Sequence, residues 1–599
     1  MNAPMGGHNR RGGILVLVVG IGVILATLGL GLLHLAYSCH VLVLRTNQAI
    51  IARCAADSGP VIAVWDMNED LLRGTWSSPP GPRTVEMGGS KATCTYTVTG
   101  AWPTYVIDSV GVCGGATRVV HARVKAESFW KGIGVTDAII INNNGIIAST
   151  GQEIAIRTNS GDKDKICLRY GARVPGDVIY GPTGSALWTI ENRRNADIYG
   201  ETYAGEEIAY PPAAQPEIGL TDTYKLDVST WTAYNDCGGD TVGASDGITN
   251  FSGADPMGAL ATPRPIRITW QGAGLAEGPG ATASLTTPPG DSGVEFADVI
   301  NWLGDTEAAA DFIMHLTGPG ITPYCRYALS CGAIRDPGSS GSMFTIMNVL
   351  KYTQESSDGA ALTENTTEIS DYNPTGKVAK WAGIQPGWDA VDETNRISLR
   401  VTALSGTAHL SCFKLVRENR AFLGEPGART QYRFPRAEIT GTLCIEGHVT
   451  LYCDAQDTAD YMAPSNDCFV LNAGASLLMK SGASLELYLG GDMDVKNGST
   501  VICEDSAANQ FAIFGLPYAP HTGKGCKNIN LLNSGDLCAA VYAPDTAVQV
   551  GNDGKFLGAV VAHSLDLKNT GDFVYDASLA DDIEEGHPAR FTLHRWWED

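Results

Sequence analysis

The longest uninterrupted apolar stretch of the chain covers residues 14–37, ILVLVVGIGVILATLGLGLLHLAY, in which His34 is the one strongly polar member. At about 1.5 Å per residue it makes roughly 36 Å of helix, enough to cross a hydrocarbon core about 30 Å thick with some tilt. Arg10 and Arg11 stand on its short side. The positive-inside bias then predicts a cytoplasmic basic leader over 1–13, a transmembrane helix over 14–37 and an extracytoplasmic remainder. The competing reading is a cleaved secretory signal, but that has a shorter apolar core and a small-residue cleavage site, so the length favours an anchor.

Apolar positions continue at Leu42, Leu44, Ile50, Ile51, Val61, Ile62, Val64, Trp65 and Leu71, which predicts a helical stem over 38–75. Gly59-Pro60 is expected to bend or interrupt it, because a proline inside a helix removes one hydrogen bond and crowds the preceding turn. Over 76–129 the pattern changes to a small β unit. Residues 94–99, 105–112 and 116–124 alternate or run apolar between glycine turns, as strands do.

Short apolar runs with Asn and Gly corners then recur. They occupy 138–147 and 176–181, and again from about 430 to the end, where Gly474-Ala475-Ser476-Leu477 is echoed by Gly482-Ala483-Ser484-Leu485 and Gly498-Ser499-Thr500-Val501. Strands of this length with left-handed corners predict rungs of a parallel β-helix, in a first segment over 130–216 and a C-terminal domain over 430–599. A β-sandwich is the alternative for this region. Tyr210-Pro211-Pro212-Ala213-Ala214-Gln215-Pro216 and Gly424-Glu425-Pro426-Gly427 bracket an inserted block, 217–420. Its strand candidates are 266–270, 312–316, 343–350, 397–404 and 408–416. The stretches 396–404 and 409–415, with Trp381 and Trp388, look like the closing hairpin of a jelly-roll module. The expected fold is therefore mainly β: an N-terminal transmembrane α-helix, then a β-rich ectodomain built as a parallel β-helix (solenoid) interrupted by a jelly-roll-like β-sandwich insert.

Composition narrows the function. Acidic residues number 65 against 42 basic ones, a net charge of −23, which repels phosphate backbones and argues against nucleic acid as a partner. Of the fifteen cysteines, Cys39 and Cys54 lie in or near the anchor, leaving an odd number in the ectodomain. Some disulfides are expected in an oxidising compartment. No Cys-x-x-Cys occurs, so neither a zinc site nor a thioredoxin-like centre is predicted.

Candidate chemistry is sparse. Gly290-Asp291-Ser292-Gly293 resembles the nucleophile motif of chymotrypsin-like proteases, but Val294 follows it and no histidine lies in the required context, so a surface turn is the better reading. Gly272, Gly274 and Gly278 lack dinucleotide-loop spacing. Asp492, Asp494 and Asn497 offer oxygens to a calcium ion, as do Asp581, Asp582, Glu584 and Glu585, but a solvated strand face and a solvated turn account for them better. Trp381 and Trp388 are the first candidates for stacking on sugar rings, although burial in a core is the commoner state of tryptophan. No catalytic residue, cofactor or metal site is predicted, and the chain is expected not to be an enzyme.

The stem carries a family resemblance. Ala52-Arg53-Cys54-Ala55-Ala56-Asp57-Ser58-Gly59 followed by Ala63-Val64-Trp65-Asp66-Met67-Asn68 resembles the N-terminal class of PilX-type pilus-assembly proteins, which are type IV pilin-like. The stretches 484–492, 511–515, 540–544, 556–561 and 575–576, with the terminal His594-Arg595-Trp596-Trp597, are similar to the β-rich C-terminal domain of the same proteins. The resemblance implies prepilin cleavage between Gly13 and Ile14, although Val18 stands where a typical pilin has glutamate at the fifth mature position. It implies a membrane-anchored structural or accessory protein of a type IV pilus or related assembly in the bacterial inner membrane. The N-terminus would be cytoplasmic and the ectodomain periplasmic or at the cell surface. Its partners would be the lipid bilayer, other pilin-like or pilus-assembly subunits and surface polysaccharide. A glycan-binding adhesin using the 217–420 insert is the alternative, and a β-helix polysaccharide-active enzyme the third reading.

Overall fold

The computed structural model describes residues 11–73, 76, 78–89, 91–150, 154–193, 195–235, 267–271, 311–318, 320–333, 341–356, 366–369, 377–405, 412–455, 466–519, 524–531, 534–580 and 589–598. The chain is mainly β with one long apolar N-terminal helix. It divides into two compact units, one of residues 1–129 and 583–599 and the other of residues 130–582.

The first unit is built on α1 (Arg11–Leu72). Four strands follow as an antiparallel meander: β1 (Arg83–Met87), β2 (Ala92–Ala101), β3 (Thr104–Cys113) and β4 (Ala116–Ser128). The last strand of the chain, Ala589–Glu598, does not end the coil in which the sequence placed it. It pairs antiparallel with β4 from Ala589↔Ser128 onward and completes this sheet. Asn68 of α1 pins it: the Asn68 amide donates to the Phe591 carbonyl at 3.1 Å, and the Phe591 N–H donates back at 2.7 Å.

The C-terminal part of α1 lies on the sheet through small residues. Ala52, Ala55, Ala56, Ala63 and Met67 are fully buried or nearly so, at spacings that keep them on one helical face. They pack on Cys94, Tyr96, Tyr105, Ile107, Ala122, Val124 and Phe591. The approach is close at two glycines: a Cβ on Gly59 would fall 2.0 Å from Ser109 Oγ, and one on Gly111 would fall 2.0 Å from the Ala52 carbonyl.

Contrary to the expectation from Gly59-Pro60, the helix runs through Pro60 without interruption. Proline has no N–H to give the Ala56 carbonyl one turn back. Ser109, fully buried on β3, donates its hydroxyl to that carbonyl at 2.7 Å. The bond lost within the helix is replaced from the sheet.

The second unit contains a stack of parallel strands, three to a coil. Thr442–Ile445, His448–Cys453 and Asp467–Leu471 pair in parallel with Ser476–Met479, Ser484–Leu489 and Asp492–Val495. Those pair in turn with Thr500–Cys503, Phe511–Gly515 and Asn528–Leu531. Alternate residues, such as Leu451, Leu487 and Ile513 on one side, are buried and stack coil on coil. Corners at Gly474, Gly482 and Gly498 have φ of +76°, +71° and +68°, a conformation that glycine adopts without cost.

The two sequence-separated runs of rungs form one stack, in an order different from that along the chain. The segment from residue 132 stacks on the strand Lys555–Leu567, with Val560↔Ile133 and Leu565↔Ile139, and Phe573 pairs with Ile147. From there the rungs proceed away to Thr202–Ala204. The chain returns to the opposite end of the stack through the Pro-rich segment after residue 206. Asn159 bonds Ile208 through both side-chain atoms, Tyr542 donates to the Pro211 carbonyl at 2.6 Å, and Arg433 bonds Ile218 and Thr221. Seven strand spacings separate those ends, about 34 Å at 4.8 Å each; the thirteen steps from Ile208 to Thr221 span roughly 40 Å as polyproline II. An extended strap of this length just covers the distance.

The block at that end consists of two antiparallel sheets. One has the order Val349–Ser356, Lys377–Asp389, Cys325–Ala333, Cys412–Leu423, Trp231–Asn235. The other has the order Arg267–Gln271, Asp311–Thr317, Thr394–Ser405, Gly341–Met347, Thr366–Ile369. The expected closing hairpin is corrected: Thr394–Ser405 and Cys412–Leu423 lie in different sheets, because each finds its hydrogen-bond partners on other strands. The stretch expected as one strand over 343–350 is two, turning at Asn348, whose φ is +54°.

Cys412–Leu423 joins block to coil. Its first half pairs antiparallel in the block, and residues 420–423 pair in parallel with Thr442–Ile445. At the join Arg417 is 1% exposed and donates to Asp227 Oδ2 at 2.8 Å, to Ser229 Oγ at 2.7 Å and to the Ser229 carbonyl. Burial pushes the Asp227 carboxyl up, but Arg417, Lys225 and Ser229 outweigh it and hold it below the usual range.

Two outcomes follow from these contacts. Ser109→Ala should destabilise the first unit by about 1–3 kcal/mol, the cost of an unsatisfied buried carbonyl. In a Pro60→Ala background, where the helix supplies its own N–H, the same change should cost clearly less; equal costs in a double-mutant cycle would refute the compensation. Arg417→Met should cost about 3–5 kcal/mol in chemical denaturation by leaving the buried Asp227 without its guanidinium partner, and adding Asp227→Leu should recover much of it. Because the Asp227 carboxyl is depressed, its contribution is present above the ordinary carboxylate pKa near 4 and lost as pH falls through the folded value.

Candidate functional site

The segment with a legible function is the N-terminal half of α1. From Gly12 to Leu44 it carries no Asp, Glu, Lys or Arg, and residues 15–40 are all exposed. Val18 is 59%, Leu28 59% and Leu33 71% exposed. In water such a surface would be driven into association by the hydrophobic effect. It is the one helix among the described residues long and apolar enough to cross a membrane.

Local sequence alone does not favour this helix in water. Gly20, Gly22, Gly29 and Gly31 have nothing within 4 Å of an added Cβ, and each costs a helix interior about 1 kcal/mol relative to alanine. In hydrocarbon the balance reverses, since every backbone polar group must find a partner inside the segment. Thr27 follows the same rule by donating its hydroxyl to the Val23 and Ile24 carbonyls. The charge-free length is about 50 Å of helix, roughly 20 Å more than a bilayer core needs.

Gly13 and Ile14 lie within α1, at its first residues. Val18 occupies one exposed position on the first turns after them, among other apolar side chains.

The other sequence candidates fall apart as sites. Trp381 is fully buried, whereas Trp388 is 62% exposed. Asp492 is a structural cap: it accepts from the Lys527 and Asn528 N–H groups at 2.7 and 2.9 Å and from the Asn528 and Asn466 amides. Asp494 accepts from Asn530 in the next coil at 2.9 Å. Residues 272–278, 290–293 and 581–585 lie outside the described residues.

One constellation was not visible in the sequence. On Asp311–Thr317 and Thr394–Ser405, His315 and Ser398 are cross-strand partners, with Nδ1 2.7 Å from Oγ. Asn348 donates to the same Oγ at 3.0 Å, leaving the hydroxyl proton for His315. Burial, helped by the Arg396 cation, pushes the imidazole pKa down and so favours its neutral form. Ser398 is fully buried and His315 4% exposed, which gives a substrate no approach. The pair acts as a buried polar clasp. Only register could have revealed it, since 83 residues separate the two.

Comparison with known proteins adds little to this geometry. A family described as a domain of unknown function (DUF7305) matches residues 440–582, within the coil. No curated protein matches the chain. Among solved structures the chain is similar to the competence-associated pilin ComZ from Thermus thermophilus, at 11% identity and a TM-score of 0.21, over 92% of this chain and 97% of that one. At a TM-score that low the two folds do not superimpose as wholes, and the functional reading rests on this chain's own helix and sheet.

The surplus apolar length makes a positional prediction. Leu28→Arg, central in the run, should lower membrane insertion by about two orders of magnitude, from a cost of roughly 2.5–3.5 kcal/mol. Leu42→Arg should be tolerated, because the span can slide away from it. Carbonate extraction of the two variants separates the outcomes, and equal extraction would count against a spanning helix of this length.

Proposed function

We propose that the chain is a single-span, pilin-like envelope protein, a PilX-type accessory component of a type IV pilus or related assembly. The observation that carries this reading is the division of α1. Its N-terminal half is bare and apolar, and its C-terminal half is packed on an antiparallel sheet as the stem of a folded head. A bare helix continuous with a rigid head can be held in a bilayer or among other such helices while its head stays in water. The mechanism is structural, and the partners are lipid and other pilin-like subunits. With Val18 rather than glutamate at the fifth position after Gly13, an accessory role is favoured over that of a shaft subunit. The basic leader, Arg10 and Arg11, supports a cytoplasmic N-terminus with the β units outside it, in the envelope of a bacterium.

A second reading has one observation behind it. Without the outer strands Arg267–Gln271 and Val349–Ser356, the two sheets of the inserted block have the strand order of a jelly roll. Trp388 is exposed on it, with Leu350 and Val391 exposed at 65% and 90%. A glycan-binding adhesin would use such an aromatic, and Trp388→Ala would then abolish glycan-array binding of the full chain without affecting assembly.

The primary reading is tested at the N-terminus of the mature protein, by mass spectrometry of membrane and sheared-surface fractions. A chain beginning at Ile14, present in sheared material, is the expected result. A terminus at Met1 or Asn2 confined to membranes would overturn pilus incorporation and leave an anchored ectodomain.

A further inference from the structure

We propose that Cys503 and Cys538 form an oxidisable dithiol that closes to a disulfide across two adjacent coils. Its closure in cells rests on the exported location proposed above.

The pair is created by stacking. Thr500–Cys503 pairs in parallel with the start of Asp536–Val550 at Thr500↔Asp536, and this stacking brings the Cys503 sulfur onto Cys538, 35 residues away in sequence. The Cys503 sulfur lies 3.6 Å from the Cys538 carbonyl oxygen. Both residues keep a little surface, at 7% and 8% exposure, whereas Cys453, Cys468 and Cys526 have none. Both are thiols in this structure.

The two thiols also differ in chemistry. A hydrogen bond shared between them pulls the Cys538 thiol below its ordinary pKa, against the effect of burial. The same bond, with burial, pushes Cys503 up. Whichever thiol of the pair ionises attacks first, since the thiolate is the attacking species, and its neighbour resolves the mixed disulfide. The oxidant is a small disulfide. The first thiolate attacks one of its sulfurs, forming a mixed disulfide and releasing one thiol. The neighbouring thiol then loses its proton and attacks the protein sulfur of the mixed disulfide, releasing the second thiol. Two protein thiols are oxidised, one S–S bond forms, and the oxidant's S–S bond is reduced to two thiols.

A contrasting cysteine provides an internal control. Cys167 donates to the Asp164 carbonyl and to Glu191, and burial with the Glu191 charge pushes its pKa up to about 11. It should stay reduced under the same treatment.

The test uses the purified full chain, reduced and then exposed to oxidised glutathione. Remaining thiols are alkylated under denaturing conditions and the peptides mapped by mass spectrometry without reduction. The expected result is a linked peptide joining Cys503 to Cys538, lost in Cys503→Ser and Cys538→Ser and retained in Cys526→Ser. Recovery of both residues as alkylated thiols, or of either as a stable glutathione adduct beside the free thiol of the other, overturns the proposal. The same mapping on acid-quenched envelope fractions tests the compartment. A link present there supports the proposal in full. A link that forms with glutathione but is absent from envelope material overturns closure in cells and with it the exported location, while the dithiol geometry stands.

Discussion

The Ala56 carbonyl decides whether the first unit is one rod or two pieces. Pro60 removes its helical partner, and Ser109 restores one from the sheet at 2.7 Å. Without that bond the helix would have a buried, unpaired acceptor at the point where it meets the head, and a kink is the usual relief. With it, the bare apolar half and the packed half are one continuous helix. The exchange also ties helix to sheet, because Ser109 reaches Ala56 only where Gly59 and Gly111 let the two backbones approach. Proline, serine and the two glycines thus act as one device, and a side chain at either glycine would open the gap that the hydroxyl must bridge.

The second unit answers the same demand for paired backbone groups with a different solution. A parallel coil satisfies its strands only by stacking, so an isolated run of rungs leaves open edges at both ends. The segment beginning at residue 132 lays its first rung on Lys555–Leu567, so neither that strand nor the C-terminal run ends in an open edge there. At the other end Leu226–Val228 pairs on Ala437–Ile439, and Cys412–Leu423 leads from the coil into the block. The cost of this closure is a strap that must run the length of the stack. Prolines 211, 212 and 216 suit it, because they hold an extended backbone without needing sheet partners for their missing N–H groups.

What the sequence disclosed and what it concealed divides along the range of the interactions. The apolar run of 14–37, the strands of the small β unit and the glycine corners at 474, 482 and 498 were legible because each is written in periodicity or in a single residue's φ preference. The stacking order was not, since Ile139 and Leu565 advertise burial without naming each other. The terminal segment is assigned by the sequence to the C-terminal coil for the same reason: its partner β4 lies more than 400 residues earlier. The interruption expected at Pro60 does not occur, because a distant serine takes up the carbonyl that the local rule leaves without a partner. Asp492 reads in the sequence as part of a solvated strand face, and its real role, capping the Lys527 and Asn528 N–H groups, is hidden because those partners lie 35 and 36 residues on.

The connection between the units has its own logic. Ser128 and Ala589 are cross-strand partners, so the chain leaves the first unit and rejoins it at neighbouring positions of one sheet. An insertion between such positions leaves the sheet intact whatever its size, since the closing strand needs only to return to the place it left. Asn68, which bonds both backbone groups of Phe591, makes that return obligatory for the stem: until residues 589–598 are in place, the amide and the buried face of β4 lack their partner. The helix-bearing unit is thereby complete only once residues 589–598 have been made, and the bare helix is not joined to a finished head before the intervening β unit exists.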